Sequence, residues 1–221
     1  MLGPSAKKAA RAPSTKRHLN FLAHLLLAGD DPEAQVGQVL ADLIPAGSIA
    51  SFAPGIQQGI RAHQRIDVFT DGHPTFHTAR RRLRPPFRRF AGVLLDIYFD
   101  HFLARDWDRH GNGTPLAAFA DSRYEVLSSH QNLAVERYVK LVDAMRRGNW
   151  LVAYSSLAGV EQALKGIASR CRRENPIASG VSALMQNYNA LQLDFEDFFP
   201  ELKAYAETLR GEFSHTGGRD R

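Results

Sequence analysis

The chain has 221 residues, 44% of them apolar, and a formal charge of +5 with histidines neutral. That length suits one large domain with a real core, and the lone Cys171 excludes an internal disulfide and fits a reducing, cytoplasmic compartment. No apolar run approaches the ~20 residues that cross a bilayer, so membrane insertion is not expected.

Residues 1–18 are rich in Ala, Pro, Ser, Lys and Arg, which predicts a disordered basic tail ahead of a helical domain over 19–211. The apolar stretch Phe21 to Ala28 is short, holds His24 and lacks a small-residue cleavage site, so a signal peptide is not expected. Leu19, Leu22 and Leu26 fall at helical spacing, as do Val36, Val39, Leu40 and Leu43. Asp31 and Pro32 read as cap and first turn of that second helix, and Pro45 with Gly47 ends it. A third helix is predicted from Pro54 to Thr70, with a break and restart at His73-Pro74. Pro85-Pro86 closes an arginine-rich stretch, and Phe87 to Trp107 has room for nearly six turns. A loop over 108–114 precedes Pro115. Helical patterns follow at Leu116–Arg147, Trp150–Arg173 and Ile177–Leu209, with breaks near Gly148, Pro176 and Pro200. Residues 212–221 read as a flexible C-terminal tail. No alternating run with hairpin turns occurs, so the fold class is all-α.

Ionisable side chains set into these apolar helices carry the functional information, because a buried charge needs a partner, a hydrogen bond or a metal. His24 lies among Phe21, Leu22, Leu25 and Leu26, and is either a satisfied core histidine or a ligand. Asp42 stands at a helix C-terminus, where a carboxylate opposes the macrodipole. His63, Asp67 and Asp71 repeat every four residues and share one helix face. They make either a local hydrogen-bonded set or donors aimed at one ion, with Arg65 beside a phosphate. Asp96 and Asp100 are also four apart, in the very apolar run Leu94 to Leu103. Two carboxylates on one buried face repel unless a proton or cation separates them, and the bland alternative is a charge cluster facing Arg88, Arg89 or Arg105. His101 adjoins Asp100 but points about 100° round the helix. Such donors suit Mn, Fe, Mg or Zn, and a helical bundle can supply them from facing helices. No cysteine pair, P-loop or nucleophile elbow occurs.

Four pieces in order resemble the acyl carrier protein phosphodiesterase family, also called acyl carrier protein hydrolase. They are Asn20-Phe21-Leu22-Ala23-His24, Gly37 to Asp42, His63-x-Arg65-Ile66-Asp67-x-x-Thr70-Asp71, and Leu95-Asp96-x-x-x-Asp100-His101-Phe102-Leu103. Trp150-Leu151-x-x-Tyr154 and Gly166-Ile167-Ala168-Ser169-Arg170 agree with it. The resemblance spans about residues 19–210 and implies a single helical domain, distantly similar to HD-domain metal phosphohydrolases. It further implies manganese activation and cleavage of the phosphodiester between 4′-phosphopantetheine and a carrier-protein serine.

On that basis Asp42, His63, Asp96, Asp100 and His24 are the candidate metal donors. Asp67 is the candidate orienting group for His63 or general base, Arg65 a phosphate contact and His101 a further catalytic residue. Arg80, Arg81, Arg82, Arg84, Arg88 and Arg89 fit docking to an acidic carrier protein, or form an ordinary solvated helix face. Two rivals stand beside this reading. One is an HD-like phosphohydrolase acting on another phosphodiester or a nucleotide. The other is a basic helical nucleic-acid-binding module, which leaves the buried acids and histidines unexplained and lacks a recognised motif.

Overall fold

The computed structural model describes residues 20–133 and 135–216, so the basic stretch 1–18 lies outside the described residues. Among them every regular element is helical: α1 (Phe21–Leu27), α2 (Pro32–Leu40), α3 (Pro54–Gly72), α4 (Pro74–Arg82), α5 (Ala91–Arg105), α6 (Trp107–His110), α7 (Leu116–Ser129), α8 (Glu136–Arg147), α9 (Trp150–Ala153), α10 (Leu157–Arg170), α11 (Val181–Gln186) and α12 (Tyr188–Thr216), with short 3-10 turns between some of them. The all-α expectation holds. No described helix is long and apolar enough to cross a membrane.

The centre of the core is α5. Twelve of its fifteen residues are buried, which is why its sequence is apolar all round rather than on one stripe. Its sequence-predicted span is shorter in the structure: Phe87–Phe90 forms a 3-10 turn, and the helix ends at Arg105 before the separate turn α6. Likewise Leu116–Arg147 is two helices. The chain turns at His130, whose Nδ1 lies 2.9 Å from the Val126 carbonyl.

Helix α2 begins as its sequence requires. The Asp31 side chain accepts from the amides of Glu33 and Ala34, and Pro32 occupies the first helical position. The α2–α3 crossing is close because glycine meets backbone on both sides. A Cβ on Gly37 would stand 2.4 Å from the Ile56 carbonyl oxygen, and one on Gly59 2.3 Å from that of Ala34. That approach sets the C-terminal end of α2 against the middle of α3, one turn beyond Gly59.

Two sequence expectations change in α12. Pro200 does not break the helix, which runs on to Thr216. An interior proline costs roughly 3 kcal/mol, but Phe195, Phe198, Phe199 and Leu202 around it are all buried, and together they outweigh that cost. Residues 212–216, expected in the flexible tail, are helical. Phe213 packs on the core and Glu212 pairs with Arg65 of α3, so this last turn has partners that composition alone does not reveal.

Candidate metal centre

Three helical segments converge beneath the surface. Helix α1 contributes His24, α3 contributes His63 and Asp67 from adjacent turns of one face, and the turn after α2 contributes Asp42. One donor atom each from His24, His63 and Asp67 lies within 4.8 Å of the others. His24 Nε2 is 3.3 Å from Asp67 Oδ1, and His63 Nε2 is 3.2 Å from Asp67 Oδ2 and 3.7 Å from Asp42 Oδ2. The two imidazoles stack with centroids 4.0 Å apart and planes inclined by 20°.

These distances are close, yet the groups are poorly aligned as hydrogen bonds. Among the described residues, His24 Nε2, both ring nitrogens of His63 and Asp42 Oδ2 are buried without a hydrogen-bond partner. Leaving buried polar atoms in that state costs roughly 1–3 kcal/mol each. Two imidazoles and a carboxylate whose donor atoms lie within 4.8 Å of one another are a donor set for a divalent cation, so the residues present fit a metal.

The supporting contacts agree. His24 Nδ1 lies 2.8 Å from Gln38 Oε1, and as the donor there it leaves the Nε2 lone pair facing the cluster. Burial lowers the His24 pKa, the neighbouring His63 lowers it further, and Asp67 and Gln38 only partly oppose this, so His24 is neutral. Burial also disfavours charge on His63, but Asp42 and Asp67 outweigh it and raise its pKa to about 9. Burial works against Asp67 ionisation too, yet His24 and His63 hold its carboxyl well below the usual range. Gln38 was not singled out from the sequence. Its signal was position: it lies four residues before Asp42, next to the crossing Gly37.

Asp100 is not a member of the group formed by His24, His63 and Asp67. Its two oxygens accept from the amides of Leu22 and Ala23, both at 2.9 Å, and so satisfy first-turn donors of α1 that no residue of α1 can reach. Burial raises its pKa well above the ordinary value; those two amides oppose the rise and Asp96 adds to it. Asp96, one turn earlier on the same buried face, is likewise outside the group. His101 points away, as its 100° offset requires. It spans the Tyr154 carbonyl at 2.8 Å and the Tyr188 hydroxyl at 2.7 Å, and Arg105 also donates to that hydroxyl. Arg65 is two residues past His63 and so about 200° round α3. It pairs with Glu212 and lies over the Tyr205 ring, away from the centre. The structure thus gathers His24, His63 and Asp67 with Asp42 beside them, and gives Asp100 to the α1 amides, His101 to Tyr154 and Tyr188, and Arg65 to Glu212.

A family model described as acyl carrier protein phosphodiesterase matches residues 19–202, which include all of these side chains. The chain belongs to this family. A Photorhabdus laumondii protein named acyl carrier protein phosphodiesterase is 33% identical over 189 residues, covering 86% of this chain and 96% of the relative. A protein of the same name from Escherichia coli O139:H28 is 34% identical over 188 residues, covering 85% and 97%. No solved structure matches the chain. Membership of the acyl carrier protein phosphodiesterase family bears out the resemblance carried by the four ordered motif pieces. Three of those pieces supply the His24, Asp42, His63 and Asp67 cluster, while the fourth supplies the Asp100 cap on α1.

Proposed function

We propose that the chain hydrolyses the phosphodiester joining 4′-phosphopantetheine to a serine of acyl carrier protein, at a metal centre held by His24, His63 and Asp67 with Asp42 at its edge. The observation that carries the reading is that one donor atom each from His24, His63 and Asp67 lies within 4.8 Å of the others, with His24 Nε2 and His63 Nε2 buried and without a hydrogen-bond partner among the described residues. Two imidazoles favour Fe or Zn over Mg, which prefers oxygen, and the carboxylates admit Mn, which is the first choice because the family resemblance implies manganese activation. The helical domain is read as HD-domain-like on the same grounds.

A divalent ion held there supplies positive charge that polarises a phosphoryl oxygen and acidifies water. The chain's own groups do the rest. His24, fixed by Gln38, and His63 present ring nitrogens, and Asp67 between them keeps both rings in place. Asp42 is the outer member, with 17% of its side chain exposed. It takes the proton of the attacking water as the new O–P bond forms, and the serine oxygen released as the old P–O bond breaks takes its proton from solvent. Apo carrier protein and 4′-phosphopantetheine leave. Arg81, Arg84, Arg88 and Arg89 are exposed and have no carboxylate partner among the described residues, whereas Arg80 and Arg82 pair with Asp71 and Asp194. The four unneutralised guanidinium groups are the surface offered to an acidic carrier protein.

Incubation of the chain with holo carrier protein and manganese, followed by mass spectrometry, tests the reading. Loss of the prosthetic group, abolished by chelation, is expected. No loss with Mn, Fe, Zn or Mg refutes it. Hydrolysis confined to small diesters or nucleotides favours the rival substrate class.

A further inference from the structure

The two late motif pieces, Trp150-Leu151-x-x-Tyr154 and Gly166-Ile167-Ala168-Ser169-Arg170, take no part in the metal centre. In the structure they meet. Trp150, Tyr154, Gly166, Ile167 and Arg170 line one cleft, together with Phe21 of α1 and Ile97 of α5. Its volume is about 160 Å³. Phe21 and Trp150 form one wall, with ring centroids 6.4 Å apart. Gln162 and Arg170 are exposed and add polar groups at its rim. Small residues keep the space open: a Cβ on Gly166 would meet no atom within 4 Å, so no side chain fills the space that Gly166 borders.

The cleft and the metal centre share α1. Phe21 and His24 are three residues apart, so they are separated by about 4.5 Å along the axis and about 60° round it. A molecule whose phosphate sits at His24 therefore reaches the Phe21 wall within one helical turn.

We infer that this cleft binds the pantetheine arm of the substrate, so that Phe21, Trp150 and Ile167 pack on its apolar portions and Gln162 meets its amides. The inference rests on the carrier-protein reading above. The arm suits the cleft chemically. It is linear and uncharged, with a gem-dimethyl group and a hydroxyl between the phosphate and the first amide, methylenes between and beyond the two amides, and a terminal thiol, and an apolar channel with a few polar contacts is the complement of such a chain. The arm also begins at the phosphate, which matches the cleft's adjacency to the centre.

Gly166→Leu is the direct test. It places a side chain in open space, and a helical glycine is the poorer helix former, so the change does not work against folding. Two measurements are made on the full chain with manganese. One is the ratio of kcat/KM for holo carrier protein to that for bis(4-nitrophenyl) phosphate, a diester without the arm. The other is binding of free pantetheine by calorimetry. The ratio is expected to fall at least tenfold in Gly166→Leu, with pantetheine binding weakened by a similar factor; Ala163→Phe, on the same wall, repeats the result. An unchanged ratio with unchanged pantetheine binding overturns the inference while leaving carrier-protein hydrolysis standing. Binding of decanoate but not pantetheine overturns it in favour of an acyl chain. If the wild-type chain releases nothing from holo carrier protein, the functional reading fails by itself, and an absence of pantetheine binding in the same protein overturns the cleft assignment as well.

Discussion

In the metal-free centre, burial disfavours a proton on His63, but Asp42 and Asp67 hold one there up to a pKa of about 9. A cation must displace that proton, because only the neutral ring offers a lone pair. Manganese affinity is therefore expected to rise about tenfold per pH unit until pH 9 is approached. Calorimetry in buffers of different ionisation enthalpy should count about one proton released; none released contradicts this. The same shift acts on stability without metal. His63 stabilises the fold fully below its unfolded value of 6.5, and that contribution is lost as pH rises through about 9. The loss is roughly 3 kcal/mol, so the chelated protein should melt lower at pH 9 than at 6.5, and His63→Gln should flatten the difference. Asp42 separates proton transfer from metal binding. Asp42→Asn should lower kcat about 10²- to 10⁴-fold with metal content retained, whereas His63→Ala should lose the metal. Loss of metal from Asp42→Asn would instead make Asp42 a ligand, the role its sequence context indicated.

Helices explain why Asp96 and Asp100 read as metal donors and why Asp100 carries a second role in the structure. Two acids four apart in an apolar helix do demand compensation, and that much was legible. For Asp100 the compensation came from another helix: α1 turns its Leu22 and Ala23 amides onto it. Such a partner is 77 or 78 residues away and is backbone, so no residue type announces it. Asp100 thereby positions α1, and His24 is only one or two residues beyond the amides it holds. Asp100→Ala should leave two buried amides unsatisfied and cost roughly 2–5 kcal/mol in urea unfolding, with Asp100→Asn losing less. Stability equal to wild type in Asp100→Ala would remove that role. The glycine crossing of α2 and α3 has the same character. Gly37 was visible inside a motif, but its use depends on Ile56 and Gly59 lying against it.

Across the whole molecule the charge excess is unevenly placed. Of the six arginines between 80 and 89, Arg82 is bound to Asp194 through two hydrogen bonds of 2.6 and 2.9 Å, and Arg80 faces Asp71 at 3.6 Å. Arg81, Arg84, Arg88 and Arg89 keep an unneutralised field, which attracts an acidic partner most at low salt. Neutralising Arg81, Arg84 and Arg88 should raise KM for holo carrier protein several-fold at low ionic strength and flatten its salt dependence. An unchanged KM would return these residues to an ordinary solvated surface.

The order of residues by itself determined the helical class, most of the helix starts, the family and the identity of the buried acids and histidines. Periodicity, proline and glycine placement, and the cost of burying charge are local properties that a single chain displays. Tertiary structure alone decided which of those groups face one another. It chose Asp67 and His24 for the centre, gave Asp100 to the backbone of α1 and His101 to Tyr154 and Tyr188, and carried α12 through Pro200. The physical reason is that a ligand set is a meeting of side chains from separate helices. Their meeting point depends on crossing distances and rotations that no helix contains on its own.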